Sequence, residues 1–195
     1  MKRAVIAVAL LTAACASDGR ALRPPAPGAS APPLATTTTP AQGGTIASPL
    51  ALSSTAFTSG SAIPVTFTCD GSGVSPPLSW GAVPEGTAEL AITVIDPDAG
   101  GFVHWVIAGM GPGVQALTQA SIPAGAAQAM NSGGSIGWTG PCPPKGAAHH
   151  YVFTFYALKS LSGITDGMAA ADALAALAKL TATTAVLTGT YLRPG

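Results

Sequence analysis

Short apolar stretches separated by glycine and proline fill the chain from about Thr45 to its end. The stretch Glu89–Ile95 alternates, which predicts a strand with one buried face, because successive side chains of a strand point to opposite sides. Its apolar side chains at every second position are Leu90, Ile92 and Val94. Asp96 continues that face at the end of the strand, where Pro97 favours an extended backbone. We therefore expect a carboxylate on the inward face of a sheet.

Further stretches predict several more strands and one helix. Tyr151–Leu158 is apolar on both faces, so we expect it in the interior of a sheet. Gly167–Leu180 is rich in alanine and leucine and Asp166 can cap it, which predicts a helix packed on a sheet. The other predicted strands are Ile63–Thr68, Phe102–Ile107 and Ala185–Tyr191. The pattern as a whole predicts a mainly β fold, a sandwich of antiparallel sheets with a peripheral helix near the C-terminus.

The first 16 residues have the features of an export signal. Two basic residues precede the apolar run Ala4–Leu11, which is too short to span a bilayer. The small residues Thr12–Cys15 follow and resemble a bacterial lipobox, in which the cysteine is lipidated and becomes the mature N-terminus. Thr12 stands where leucine is usual, and ordinary cleavage after Ala16 is the alternative. We expect lipidation of Cys15 and export to a bacterial cell envelope, either lipid-anchored or periplasmic or extracellular.

Residues 17–44 form a second segment, rich in proline, alanine and threonine. It has no apolar periodicity and few large apolar residues, so it cannot bury enough surface to offset the entropy of ordering it. We predict a disordered, extended linker here. The remaining residues, 45–195, are predicted to form one domain.

The charge balance argues against a nucleic-acid partner. Formal net charge is zero. From Thr45 onward four basic side chains stand against seven acidic ones, which makes the folded part mildly acidic. A polyanion-binding stripe of lysine and arginine is therefore not expected, although a small anion can still bind in a local pocket.

Histidines and aspartates collect in two short segments, Val94–Trp105 and Gly140–Tyr151. Only 8% of the residues are charged, so the chain has few places for polar chemistry. The two segments nevertheless contain Asp96, Asp98 and every histidine of the chain: His104, His149 and His150. Such a collection beside glycine- and proline-rich turns predicts a polar site.

Several kinds of site can be built from these residues. An Asp-x-Asp pair without a third ligand or an H-x-x-x-H spacing is weak evidence for a metal, and we predict none. General acid/base catalysis needs a nucleophile or water near the base, and no G-x-S-x-G or Cys–His pattern supplies one. The aspartates can also simply cap a turn. The fourth interpretation is an anion pocket, in which glycine N–H groups approach the ligand closely.

Four ordered motifs carry a resemblance to a known family. They are TCDGSGVSPPLSW (Thr68–Trp80), DPDAGGFVHWVI (Asp96–Ile107), GPCPPKGAAHHYVFTFYAL (Gly140–Leu158) and LTGTY (Leu187–Tyr191). Their order and spacing are similar to those of the phosphatidylethanolamine-binding proteins, and most of all to the bacterial Raf-kinase-inhibitor-like branch. The resemblance extends over roughly residues 49–191.

The resemblance implies a large antiparallel sheet packed on a smaller one, with a helix near the C-terminus. It also implies a pocket for phosphate-like anions such as a phosphoethanolamine headgroup. Matched motif by motif, the ligand-binding residues are Asp96, His104, Gly140, Pro141, His149 and Tyr151. Asp98 and Trp138 are expected at the rim of this pocket.

The chain departs from the family pattern at three positions, each next to the expected pocket. Gly100 replaces a common proline, which loosens a rigid turn. His150 stands where arginine is common, so a fixed positive charge is lost. Trp138 replaces a common tyrosine and lacks its hydroxyl. Cys69 and Cys142 each adjoin a pocket motif; export permits a disulfide between them, but similar cysteines are reduced in other members of the family.

The combined expectation is an exported, lipid-anchored binding protein rather than an enzyme, and one without a cofactor. Its ligand is expected to be a small phosphate-bearing or zwitterionic molecule, while the sequence names no protein partner. Two alternatives stay open. One is an inhibitor of a kinase or peptidase that acts through its surface, and the other is a phosphoester hydrolase that uses Asp96 and His104.

Overall fold

The computed structural model describes residues 50–195, so the predicted signal (1–16), the lipidation of Cys15 and the predicted linker (17–44) lie outside the described residues. Within residues 50–195 there are eight strands and one α-helix, α1, at Ala170–Leu180. The strands are β1 (Leu52–Ser53), β2 (Leu78–Trp80), β3 (Glu89–Asp96), β4 (Phe102–Met110), β5 (Ala116–Leu117), β6 (Ala127–Gln128), β7 (Ala148–Leu158) and β8 (Thr181–Leu192).

The strands form two antiparallel sheets, as predicted. The large sheet has the order β6-β4-β3-β7-β8, and the small sheet has the order β1-β2-β5. β7 lies between β3 and β8, which confirms that Tyr151–Leu158 belongs to the interior of a sheet. One face of β7 is buried and the other is half-buried. The strand is therefore less completely buried than its apolar sequence predicts.

The two faces of the large sheet are covered differently. One face packs on the small sheet, where the ring of Trp80 in β2 lies 4.8 Å from that of Phe155 in β7. The other face packs on α1, through Ala173 and Leu177 of the helix. Every large apolar residue of β3 predicted to face inward is fully buried between the sheets: Leu90, Ile92 and Val94. The inward face of β3 is therefore confirmed, and it runs toward Asp96.

Two local predictions are wrong. Ile63–Thr68 is not a strand, because Pro64 cannot donate to a ladder and Val65–Phe67 instead forms a 3-10 helix, with the Phe67 N–H donating to the Pro64 carbonyl at 3.0 Å. Asp166 does not cap the helix, which begins at Ala170, three residues after the predicted start, because Gly167 has a left-handed φ of 75°. The Asp166 carboxylate accepts from the Gln128 N–H at 2.8 Å instead.

Candidate functional site: a polar pocket at one end of the large sheet

Three neighbouring strands of the large sheet place polar side chains at one end of it. β3 ends at Asp96, β4 begins at Phe102, and β7 begins at Ala148, so antiparallel pairing brings these strand ends together. They surround a pocket of about 160 Å³. The pocket is lined by Asp96, Ala99, Phe102, His104, Thr139, Gly140, Cys142, Pro143, Pro144, His149 and Tyr151.

A β-bulge in β4 turns His104 toward this pocket. Val94 of β3 pairs with Trp105, but the next residue, Ile95, pairs with Val103, so His104 is an extra residue without an opposite partner. Strict alternation from Trp105 would place His104 on the helix-covered face. The bulge instead places it on the same side as Trp105, facing the pocket.

The His104 imidazole is buried and held in place from two sides. Its Nδ1 lies 2.8 Å from the Thr139 carbonyl oxygen, and its ring lies 4.8 Å from that of Phe102 and 5.1 Å from that of Tyr151. A carbonyl can only accept, so Nδ1 carries the proton and donates, which leaves Nε2 for a ligand. Burial lowers the pKa of His104 below its ordinary value, although the Thr139 bond and the charge of Asp96 oppose that change.

Asp96 is almost completely buried, with 2% of its surface exposed, and its two oxygens have different partners. Oδ2 lies 2.8 Å from Nδ1 of His149, and Oδ1 accepts from the Ala99 N–H at 3.0 Å. The carboxylate thus orients the His149 ring and directs its other nitrogen, Nε2, away from Asp96. A histidine fixed in this way by a carboxylate has a defined tautomer and orientation.

Tyr151 brings an unsatisfied hydroxyl to the pocket. The residue is fully buried, and its hydroxyl has no hydrogen-bond partner among the described residues. Burial raises the pKa of Tyr151 far above its ordinary value, and the nearby Asp96 carboxylate raises it further, although no hydrogen bond of normal geometry joins the two. The phenol therefore stays protonated and can donate one hydrogen bond to a ligand.

The loop from Thr139 to Pro144 forms the opposite wall. Gly140 passes so close to the backbone of Phe67 and Thr68 that an added Cβ would lie 2.9 Å from it, so this position requires glycine. Cys69 and Cys142 are joined in a disulfide, which settles the question that the sequence left open. The Cys69 N–H also donates to the Pro141 carbonyl at 3.1 Å.

Five of the residues predicted to bind a ligand line the pocket together: Asp96, His104, Gly140, His149 and Tyr151. Pro141, Asp98 and Trp138 do not line it. Pro141 is buried behind the wall. The exposed Asp98 binds the backbone and ring of His150, whose N–H and Nδ1 lie 2.7 and 2.8 Å from its carboxylate, and these bonds lower its pKa.

Trp138 lies between the aromatic rings of Trp105 and Phe153 in the core, at 5.8 and 6.1 Å, and its Nε1 has no partner among the described residues. The sequence did not identify the remaining lining residues, which are Ala99, Phe102, Thr139, Cys142, Pro143 and Pro144. Phe102 was assigned to a strand, but nothing in the alternation distinguished it as a wall of the site. Pro143 and Pro144 lie within the third motif, but they were not among the residues expected at the pocket.

Two packed antiparallel sheets with a polar pocket at their strand ends define a β-sandwich protein with a candidate small-molecule site. The family model of phosphatidylethanolamine-binding protein matches residues 53–192. The chain therefore belongs to the phosphatidylethanolamine-binding protein family, as its motifs indicated.

Relatives and solved structures agree with this assignment. A protein of Mycobacterium tuberculosis named as a candidate lipoprotein, LppC, is 44% identical over 165 residues, which cover 82% of this chain and 80% of that protein. The crystal structure of the homologue CT736 from Chlamydia trachomatis has a TM-score of 0.69 and 36% identity, covering 74% of this chain and 97% of its own. The crystal structure of YbcL from E. coli, described as a member of the mammalian family, has a TM-score of 0.70 and 31% identity, covering 73% and 98%.

In the part of the chain that the structure describes, no helix is both long and apolar enough to cross a membrane. Among the same residues, no three side chains of histidine, cysteine, aspartate or glutamate are grouped as metal ligands would be.

Proposed function

We propose that this protein is an exported, lipid-anchored binding protein whose pocket holds a small phosphate-bearing anion. One observation carries the proposal: the buried Tyr151 hydroxyl has no hydrogen-bond partner within residues 50–195 and lies beside two oriented imidazoles, His104 and His149, in a single pocket. A buried polar group without a partner is costly, so its presence favours a ligand that supplies the missing acceptor. Phosphate oxygens are such acceptors.

The bonds of Asp96 indicate how a carboxylate can stand beside an anion. Both of its oxygens are already engaged, by His149 and by the Ala99 N–H. It is therefore better placed to hold the His149 ring in orientation than to receive the amine of a zwitterionic ligand. The phosphate group would then accept from Tyr151, from Nε2 of His149 and from a protonated His104, and an amine would lie toward the mouth of the pocket.

We propose binding rather than turnover. The Asp96–His149 pair has the form of a base and its orienting carboxylate, but Cys142, whose thiol could be a nucleophile, is oxidised to a disulfide. Asp96 itself, engaged through both oxygens, is poorly placed to accept a further proton. Incubation with p-nitrophenyl phosphate should therefore release no phenolate above the buffer rate. Release that His104→Ala abolishes would instead support the hydrolase alternative.

The location of the protein is inferred from the sequence and from one relative. The name of the mycobacterial relative describes it as a candidate lipoprotein, and Cys15 follows an apolar run preceded by two basic residues. Cys15→Ser should move the protein from the membrane fraction to the soluble fraction. A variant that is processed and fractionates like the wild type would point to ordinary signal cleavage.

Calorimetric titration with phosphoethanolamine and with inorganic phosphate tests the pocket directly. His104→Ala should weaken binding of both ligands by about tenfold or more, since a charge-assisted hydrogen bond contributes about 1.5–3 kcal/mol. His150→Ala is the matched control, because His150 is exposed and bound to Asp98 outside the pocket.

The same titration at pH 5.5 and pH 7.5 tests the role of the imidazole charge. Since burial lowers the pKa of His104, the free protein holds this ring neutral near pH 7, and anion binding must take up a proton there. Affinity should therefore rise as the pH falls. Equal heats for wild type and His104→Ala at both pH values would leave the pocket assignment without support.

A further inference from the structure

The disulfide bond is part of the wall of the pocket. Cys142 lines the pocket and is bonded to Cys69, which lies 73 residues earlier in the chain, with 5.4 Å between the two Cα atoms. Both cysteines belong to exposed positions of the surface. A thiol in solution can therefore reach the bond, and exposed disulfides are the ones that exchange most readily.

The Cys69 side of the bond is fixed by its surroundings. The Thr68 hydroxyl donates to the Val65 carbonyl at 2.9 Å and closes the turn that carries Cys69. The next residue, Asp70, accepts from the Tyr191 hydroxyl at 2.7 Å and from Nε of Arg193 at 3.0 Å. This turn is thus anchored to β8 and forms a firm attachment point for whatever is bonded to it.

The Cys142 side depends on the disulfide. The Pro141 carbonyl accepts from Cys69, and the Gly146 N–H donates to the Arg193 carbonyl at 3.2 Å. Between these two ties, the only hydrogen bond of residues 142–145 among the described residues is a local one, from the Ala147 N–H to the Pro144 carbonyl at 3.3 Å. The pocket-lining residues Cys142, Pro143 and Pro144 lie in this stretch. The disulfide is therefore the bond that holds this part of the wall against the anchored turn.

We propose that the Cys69–Cys142 bond is a site of thiol–disulfide exchange, and that its reduction by a dithiol releases the pocket wall and weakens anion binding. The inference rests on the proposed function, since it concerns the same pocket. A thiolate of the dithiol attacks one sulfur, the S–S bond breaks, and the other sulfur leaves as a thiolate that takes up a proton. The second thiol of the reductant then resolves the mixed disulfide. The protein ends with two thiols, and the reductant ends as a disulfide.

The test compares affinity for phosphoethanolamine in the oxidised and reduced full-length protein. Dithiothreitol under native conditions should expose the two thiols, leave the circular dichroism spectrum unchanged, and weaken binding by about tenfold; reoxidation should restore it. The double variant Cys69→Ser/Cys142→Ser should bind as weakly as the reduced protein, with or without dithiothreitol. If that variant does not fold, the reversible change in the wild type still decides the matter.

Hydrogen exchange separates a failure of this inference from a failure of the proposed function. Reduction should speed exchange of the Cys69 and Gly146 amides, which donate to Pro141 and Arg193 at the two ends of the wall, by at least tenfold, while the Tyr156 amide in the β3–β7–β8 ladder stays protected. Faster exchange in a protein that binds no anion in either state would overturn the proposed function and keep the release of the wall. Equal affinity in the two states, unchanged exchange, or a bond that resists reduction in the folded protein would overturn this inference alone.

Discussion

Replacing Tyr151 with phenylalanine should stabilise the free protein and weaken anion binding, two effects of opposite sign. The ring is fully buried and packs against His104, so phenylalanine keeps the packing and removes only a hydroxyl that has no partner in the described part of the chain. A buried hydroxyl without a hydrogen bond costs about 1–3 kcal/mol. The free energy of unfolding should therefore rise by roughly 1–2 kcal/mol, which for a domain of this size is about 2–8 °C in Tm.

Binding of phosphoethanolamine should change in the other direction. The lost hydrogen bond to a charged oxygen is worth about 1.5–3 kcal/mol, which corresponds to an affinity lower by roughly 10- to 100-fold. Thermal melts without ligand and calorimetric titration with it measure the two effects. Tyr156→Phe is the control, because its hydroxyl contacts only Thr93, at 3.4 Å, on the other face of the same strand. A Tyr151→Phe protein that is less stable and binds normally would refute the reasoning, since its hydroxyl would then be serving the fold.

Three other predictions concern stability. The unfolded chain protonates His104 near pH 6.5 and the folded one only at lower pH, so the free energy of unfolding should fall as the pH drops below about 6.5; His104→Gln should flatten this slope in urea titrations at several pH values. Reducing the Cys69–Cys142 bond, which spans 73 residues, should lower Tm by on the order of 10 °C in scanning calorimetry, because the chain entropy it removes is worth roughly 4 kcal/mol. Glu89→Ala should lower the free energy of unfolding by about 2–4 kcal/mol in chemical denaturation, because the buried carboxylate accepts hydrogen bonds from the Gly109 N–H and from Ser162. An unchanged midpoint would mean that water replaces the carboxylate without loss of stability.

The long strands could be predicted because the burial of each follows from the order of apolar and polar residues along it. In β3 the inward positions are apolar up to Val94, and the strand then places Asp96 on the same face, as the alternation requires. The 3-10 helix at Val65–Phe67 could not be predicted in this way. Its β-branched residues favour a strand locally, but Pro64 and the Thr68 side chain, which bonds to the Val65 carbonyl, favour a closed turn.

The pocket residues were predicted more by motif than by geometry. Alternation alone places Asp96 on the inward face, but it places His104 on the opposite face from Trp105. Only the bulge between Val103 and Trp105 reverses that orientation, and bulges have no reliable signal in a single sequence. The disulfide was likewise undecided, because a separation of 73 residues says nothing about the distance between two loops.

Three features that are unusual in a strand or in a buried core lie together at one end of the large sheet. There the strand ladder admits an extra residue at His104, a carboxylate occupies an inward position at Asp96, and a buried hydroxyl at Tyr151 has no partner. Elsewhere in the described core, the carboxylate of the buried Glu89 accepts hydrogen bonds from the Gly109 N–H and from the N–H and hydroxyl of Ser162. A phenylalanine in place of Tyr151 would have avoided the unsatisfied hydroxyl, just as the partners of Glu89 avoid an unsatisfied carboxylate. The unsatisfied hydroxyl lies in the same pocket as two oriented imidazoles, which suits a binding site, because donors used within the protein are not free for a ligand.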